Sequence, residues 1–279
     1  MKANRIKCLM FLILVMLVAD FCFAETLVET SAKTEFVIGV ERIDYIPFYG
    51  FNDEEYIGYA REFFDAFAKE KGYVLRYKIL PVKRLYLEFL DGTIDCKFPD
   101  SPFWQQDSKK DITIHYSDSI ADFIDGLMVC SENQSCPVAS LTVIGTVRGF
   151  TAWDYLDLIN SGTLGLSENN SLHGLLQQVI MNRIDGAYVN VAVADRVLKE
   201  SGTDSAELVF AENLPHTKGS YLCSSIKYPN LIAELNRFLE EKKDLIDALR
   251  SKHQVKMFSQ PQQLKDSAQP ECDMPRAGD

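Results

Sequence analysis

The sequence predicts an α/β protein of two lobes, each a mostly parallel sheet flanked by helices. Three observations carry that expectation. Short apolar runs of strand character alternate with segments of helical periodicity, glycines close several of those segments, and one corner is written twice. It stands first as "LDGTIDCKF" and then, ninety residues on, as "MNRIDGAYVN". Strands alternating with helices of about ten residues mark βα units on parallel sheets.

The elements follow in order. "FVIGV" (36–40) reads as a buried strand and is followed by a loop rich in aromatics, "ERIDYIPFYGFNDEEYIGY". Ala60, Phe63, Phe64, Phe67 and Ala68 fall on one helical face, and Gly72 stops that helix. "YVLRYKI" is a strand; Val82, Leu85, Tyr86, Phe89 and Leu90 repeat the helical spacing as far as Gly92; "TIDCKF" is the next strand. The second run uses the same grammar. "LTVIGTV" is a strand, Ala152, Tyr155, Leu156 and Ile159 mark a helix ended by Gly162, and "TLGLS" is a strand. Leu172, Leu175, Leu176, Val179 and Ile180 mark a further helix before "IDGAYVN". "PNLIAELNRFLEEKKDLIDALRSKH" reads as one long amphipathic helix, and the Pro, Gln, Ser and Asp content of 257–279 as a disordered tail.

At the repeated corner, Asp95 and Asp185 are expected to satisfy backbone amides, because they stand at the amino ends of their strands. Ligands of open α/β sheets collect at the other end, where loops and helix N-termini meet. The sequence places Tyr45 and Phe48, Arg84, Asp100 and Trp104, Arg148 and Thr151, and Asn190 there. Aromatic, guanidinium and small polar groups converging from two lobes suit a small polar ligand. Arg148 beside Gly149 at a helix start is the expected anion grip, with Thr151 as cap or donor. Trp104, Tyr45 and Phe48 would form a stacking wall, and Asp100 is the carboxylate placed to meet a cationic group.

The chain opens with Lys2, Arg5 and Lys7, an apolar run and Ala24, the pattern of a secretory signal peptide over 1–24. Its removal takes three basic residues and one acidic one, moving the net charge from −11 to −13. An acidic protein is a poor partner for nucleic acid. Five cysteines remain, and an oxidising compartment favours pairing. Cys130 and Cys136 enclose the polar loop "SENQS" and form one candidate disulfide; Cys130 with Cys223 is the alternative. Cys96 reads as a buried thiol and Cys272 as a tail residue. No cysteines show zinc-site spacing, and neither metal nor cofactor is expected.

From about 36 to 250 the chain resembles the periplasmic solute-binding proteins of family 3, the polar amino-acid type. The pieces that carry the likeness are "IGY" leading into "AREFFDAFAKEKG", "LDGTID", "IHYSDSI", "GTVRGFT" and "NRIDGAYVNVAVADRVL". The resemblance implies a periplasmic monomer with lobe 1 at 25–127 plus 225–256, lobe 2 at 128–224, and crossovers at "DGLMVC" and "GSYLCSS". It implies ligand capture by hinge closure, serving an ABC-type inner-membrane permease or a sensor. Two family clamps are changed. No Thr-x-x-Arg follows the "GTID" strand, where the chain reads "PDSPFWQQDSKKD", and Asn190 stands where relatives carry an acid. The expected ligand is therefore a carboxylate-bearing or aromatic metabolite. Acid–base catalysis on the same scaffold, through Asp100 as in periplasmic cyclohexadienyl dehydratases, is one alternative. A module that kept the lobes but lost its ligand is another.

Overall fold

The computed structural model describes residues 34–257, apart from Glu54 and residues 203–206. The expected signal peptide, the tail beyond Met257 and Cys272 lie outside the described residues. In chain order the first half comprises β1 (Glu35–Glu41), the hairpin β2 (Gly50–Asn52) and β3 (Glu55–Ile57), α1 (Tyr59–Lys71), β4 (Val74–Leu80) and α2 (Val82–Leu90). It continues with β5 (Cys96–Asp100), α3 (Gln106–Lys109), β6 (His115–Tyr116) and the long β7 (Ala121–Cys130). Next come β8 (Val143–Val147), α4 (Leu156–Asn160), β9 (Gly165–Asn169), α5 (Leu172–Ile180), β10 (Gly186–Asn190) and α6 (Val191–Glu200). The chain then runs through β11 (Leu208–Phe210) and the long β12 (Thr217–Ser225) to α7 (Pro229–Glu241) and α8 (Lys243–His253).

The strand order β4-β1-β5-β12-β7-β10-β8-β9 joins both halves. On one side β1 pairs in parallel with β4 and β5; on the other β8 pairs in parallel with β9 and β10. Between them the two longest strands, β7 and β12, run antiparallel, from Thr217↔Asp125 to Tyr221↔Ala121. On this ladder Gly219 lies under the ring of Phe123, where an added Cβ would come within 2.5 Å of the ring.

The apolar stripes read from the sequence become the cores. Phe63, Phe64 and Phe67 of α1 pack with Phe98 and Phe238. Leu127, Ile144, Tyr155 and Tyr188 fill one face of the second sheet, and Leu175, Leu176 and Val189 fill the other. The repeated corner does the same work twice. The Asp95 carboxylate accepts the Val37 amide at 2.8 Å while its own N–H donates to Val37 O at 2.9 Å. Asp185 accepts the Val143 amide at 2.8 Å and donates to Val143 O at 2.8 Å. Each acid thus pins the corner to the start of the neighbouring strand. Above each corner a mid-strand glycine makes room for its isoleucine: a Cβ on Gly39 would lie 2.2 Å from Ile94, and one on Gly145 would lie 2.6 Å from Ile184.

Three expectations are corrected. The C-terminal helix is two, α7 and α8, because the polar run after Leu239 gives a continuous helix no face to bury; the turn at Lys242 returns Ile246 to the core of Phe238. The helix expected from Ala152 begins as a 3-10 turn at Trp153–Tyr155 before α4. Cys130 and Cys223 are both free thiols, so neither expected disulfide forms. Cys130 Sγ points to Val179 O at 3.4 Å, while Cys223 is buried beside Cys96 on the adjoining strand. Among the described residues no helix is long and apolar enough to cross a membrane.

Candidate functional site

The carboxyl ends of β1 and β5 carry charge into the interior. Lys97 and Asp100 are both 0% exposed and lie 3.2 Å apart. Lys97 Nζ also donates to Pro99 O at 2.6 Å and sits 4.1 Å from the Tyr86 ring centroid. Lys109 reaches Asp100 Oδ1 at 2.8 Å and Ser101 O at 2.7 Å, and Ser224 Oγ donates to Asp100 Oδ2 at 2.6 Å. Burial opposes ionisation of Asp100, but Lys97 and Lys109 outweigh it and hold the carboxyl below its usual range. Asp100 is therefore spent on two lysines and a serine instead of standing open for a cation. Glu41, at the end of β1, accepts from Tyr49 OH at 2.9 Å; burial raises its pKa despite nearby Lys97.

Above this layer rings from both halves meet. Tyr45 stacks on Tyr49 at 5.5 Å and, across the gap, on Phe150 at 5.7 Å. Phe48 meets the edge of Tyr221 at 5.2 Å, and Tyr221 stacks on Phe123 at 4.5 Å, with Trp104 6.1 Å from Tyr221. Val193, Phe150 and Leu172 of the second half pack into the first half's core. Arg196 of α6 reaches Asp44 of the loop after β1 at 3.6 Å.

Asn190 ends β10 and starts α6, where its Oδ1 accepts the Val193 amide at 3.2 Å, the ordinary work of a helix cap. Its Nδ2 lies 3.2 Å from Asp125 Oδ1 and 3.4 Å from Tyr221 OH. Asp125 is its cross-strand partner on β7. Asp125 is half-buried. Burial pushes its pKa up to about 7; the Asn190 hydrogen bond opposes the rise and Asp154 adds to it. Asp154 accepts from Tyr188 OH at 2.6 Å and Thr217 Oγ1 at 2.9 Å.

Tyr45, Phe48, Trp104 and Asn190 are thus brought into one cluster. The two arginines are not. Arg148 has a 64% exposed side chain turned toward Glu168, at 3.9 Å on the neighbouring strand β9. Arg84 has a 68% exposed side chain and pairs with Glu88 one helical turn on, at 2.8 Å. Arg84 is thus paired at the surface, while Arg148 stands at the surface with only a long contact to Glu168. Thr151 contributes its carbonyl to the turn before α4, accepting from Trp153 N at 3.0 Å. Sequence reasoning missed Glu41, Lys97, Phe123, Asp125 and Tyr221. Glu41 could have been found from its place directly after an apolar strand. Lys97 reads as a position within β5, and Phe123, Asp125 and Tyr221 as interior positions of the long β7 and β12.

No family model matches the chain, and no curated protein matches it in sequence. Solved structures do. The substrate-binding protein of an amino acid ABC transporter shares 22% identity at TM-score 0.59, over 78% of this chain and 98% of that one. A histidine kinase sensor domain with similarity to periplasmic binding proteins shares 17% at TM-score 0.60, over 80% and 97%. The ancestral amino acid-binding protein AncCDT-1, a precursor of cyclohexadienyl dehydratase, shares 18% at TM-score 0.56, over 78% and 95%. The chain has the two-lobed fold of the periplasmic binding proteins.

Proposed function

We propose that this protein captures a small solute between its lobes by hinge bending and delivers it to an importer or a sensor. The lobes of this reading are 25–127 with 225–256, and 128–224, and the mature chain works as a monomer outside the inner membrane. One observation carries it. At the carboxyl ends of the strands, groups of opposite halves meet: the Tyr45 ring on Phe150, and the Asn190 amide on Asp125. Such a seam around a two-strand crossover is what a closing pair of lobes needs. The likeness to a transporter's binding protein and to a sensor domain supports both destinations.

The anion grip expected of Arg148 has no part in this reading, since its side chain is at the surface beside Glu168. A second reading, acid–base chemistry in the same gap, draws on Asp125, whose carboxyl titrates near neutrality. The test is a thermal-shift screen of the purified mature protein against amino acids, amines, dicarboxylates and aromatic acids. X-ray scattering on each hit follows. A solute that raises the Tm by mass action and reduces the radius of gyration supports capture. A library that leaves both unchanged rejects it, and product analysis on any hit separates binding from turnover.

A further inference from the structure

We infer that the two halves are latched shut by the chain's own side chains, so that the protein rests closed and has to open before a solute can enter. The inference goes beyond the capture reading above, because it concerns the resting state and is tested without any solute.

The latch is centred on α6, a helix with two apolar faces. Val191, Ala194, Val197 and Leu198 lie in the second half's own core with Leu175 and Leu176. Ala192 and Val193 are turned the other way, and Val193 is only 3% exposed in the core cluster that holds Tyr45, Phe48 and Tyr49 of the first half. Opening the halves would return that stripe to water, and apolar surface resists the return. A second contact stands beside it. The Tyr45 and Phe150 rings stack across the gap with their centroids 5.7 Å apart and their planes 22° from parallel. Phe150 packs on the first half's cluster and Leu172, at the start of α5, on the cores of both halves.

Charges frame these apolar contacts and cross the gap in opposite senses. Arg196, three residues on from Val193, faces Asp44 of the first half at 3.6 Å. Lys256, just past α8, is near enough to act on Asp195. Exposed pairs of this kind add little hold, but they fix how two surfaces align. The apolar stripe and the rings therefore supply the grip, and the charges supply the register.

A gap that closes only around a guest leaves its facing surfaces for the guest to bridge. Here ring meets ring and Val193 meets the opposite core, so the protein makes the bridge itself. A solute has to compete with these contacts, and its apparent affinity falls by the fraction of molecules that are open.

The experiment is X-ray scattering on the mature protein, unfolded in urea and refolded to strip any solute carried through purification. The wild type should fit the closed structure. Val193→Asp puts a charge on the face that closure buries, and it should lower the closed-to-open ratio by about tenfold or more, seen as a larger radius of gyration. Phe150→Ala combined with Arg196→Ala should open the molecule too, and it leaves the second half's own core untouched. A wild-type circular dichroism spectrum and a cooperative melt show that a variant is folded; if Val193→Asp fails this check, the double variant decides. A wild type that is open without solute overturns the latch and leaves capture by closure on a guest standing. Folded variants as compact as the wild type overturn it as well, since the named contacts would not be what holds the halves. A closed wild type with open variants supports the latch whether or not any solute binds.

Discussion

Replacing Asp100 by Asn removes the one carboxylate between two buried ammonium groups. Lys109 at 2.8 Å and Lys97 at 3.2 Å would then face each other across an amide, with side chains only 7% and 0% exposed. Asn keeps the volume and can still accept from Ser224, so the change isolates charge. Breaking a buried pair by deleting one partner costs about 3–5 kcal/mol, because the other charge stays in low dielectric. For a protein of this size each kcal/mol moves the Tm by about 2–4 °C, which gives a fall of roughly 6–20 °C. The assay is calorimetry with urea unfolding from pH 3 to 8. Asp100 has its folded pKa below its ordinary 3.8, so its stabilising share is complete above that value and is lost as the pH falls below it. The gap between wild type and variant should be flat from pH 5 to 8 and should narrow in acid. A destabilisation below about 1 kcal/mol at pH 7, or a variant that loses solute binding with its Tm intact, would refute the structural role argued for this carboxylate.

Asp125 gives the opposite pH signature. Its folded pKa is raised, so its contribution is fully present below about 3.8 and lost as pH rises through about 7. Wild-type stability should fall between pH 5 and 8 by about 3 kcal/mol at most, with a matching drop in Tm, and Asp125→Asn should flatten the curve; a wild-type curve already flat over that range contradicts the assignment. Gly39→Ala should cost about 1–3 kcal/mol in urea unfolding, because Leu85 and Ile94, both buried, cannot retreat from the new methyl. A neutral result would mean the strand shifts to accommodate it. With a maleimide reagent, half-buried Cys130 should label in the folded protein while Cys96 and Cys223 label only on unfolding. Equal rates at all three would place the β5–β12 contact in solvent.

The fold was legible because it is carried by local periodicity. The Phe63, Phe64 and Phe67 spacing, the Gly72 stop and the twin Ile-Asp corners each depend on residues close in the chain. Even the amide-binding role of Asp95 and Asp185 followed from their place in a turn. The site was legible only in part. That Tyr45, Phe48, Trp104 and Asn190 gather in one place was legible because loops at the carboxyl ends of strands are named by topology alone. Arg84 and Arg148 could not be sorted the same way, since Glu88 pairs with Arg84 one turn on, and Glu168 comes near Arg148 only through the β8–β9 pairing. Asp125 was hidden for the same reason. It stands inside a long strand with nothing around it to announce a role, and it acquires one when antiparallel pairing sets it against Asn190, 65 residues away.

The β7–β12 ladder has a mechanical consequence. Two strands hydrogen-bonded to each other form a ribbon, which flexes along its length far more easily than it shears. In the proposed capture cycle the halves would therefore rock like jaws without sliding past one another, and each closure would return the same rings to the same opposing positions. Phe123, resting on Gly219, rides on both strands at once. In that cycle it would brace the pivot, so a side chain added at 219 would displace Phe123 and alter how the jaws meet without touching either of them.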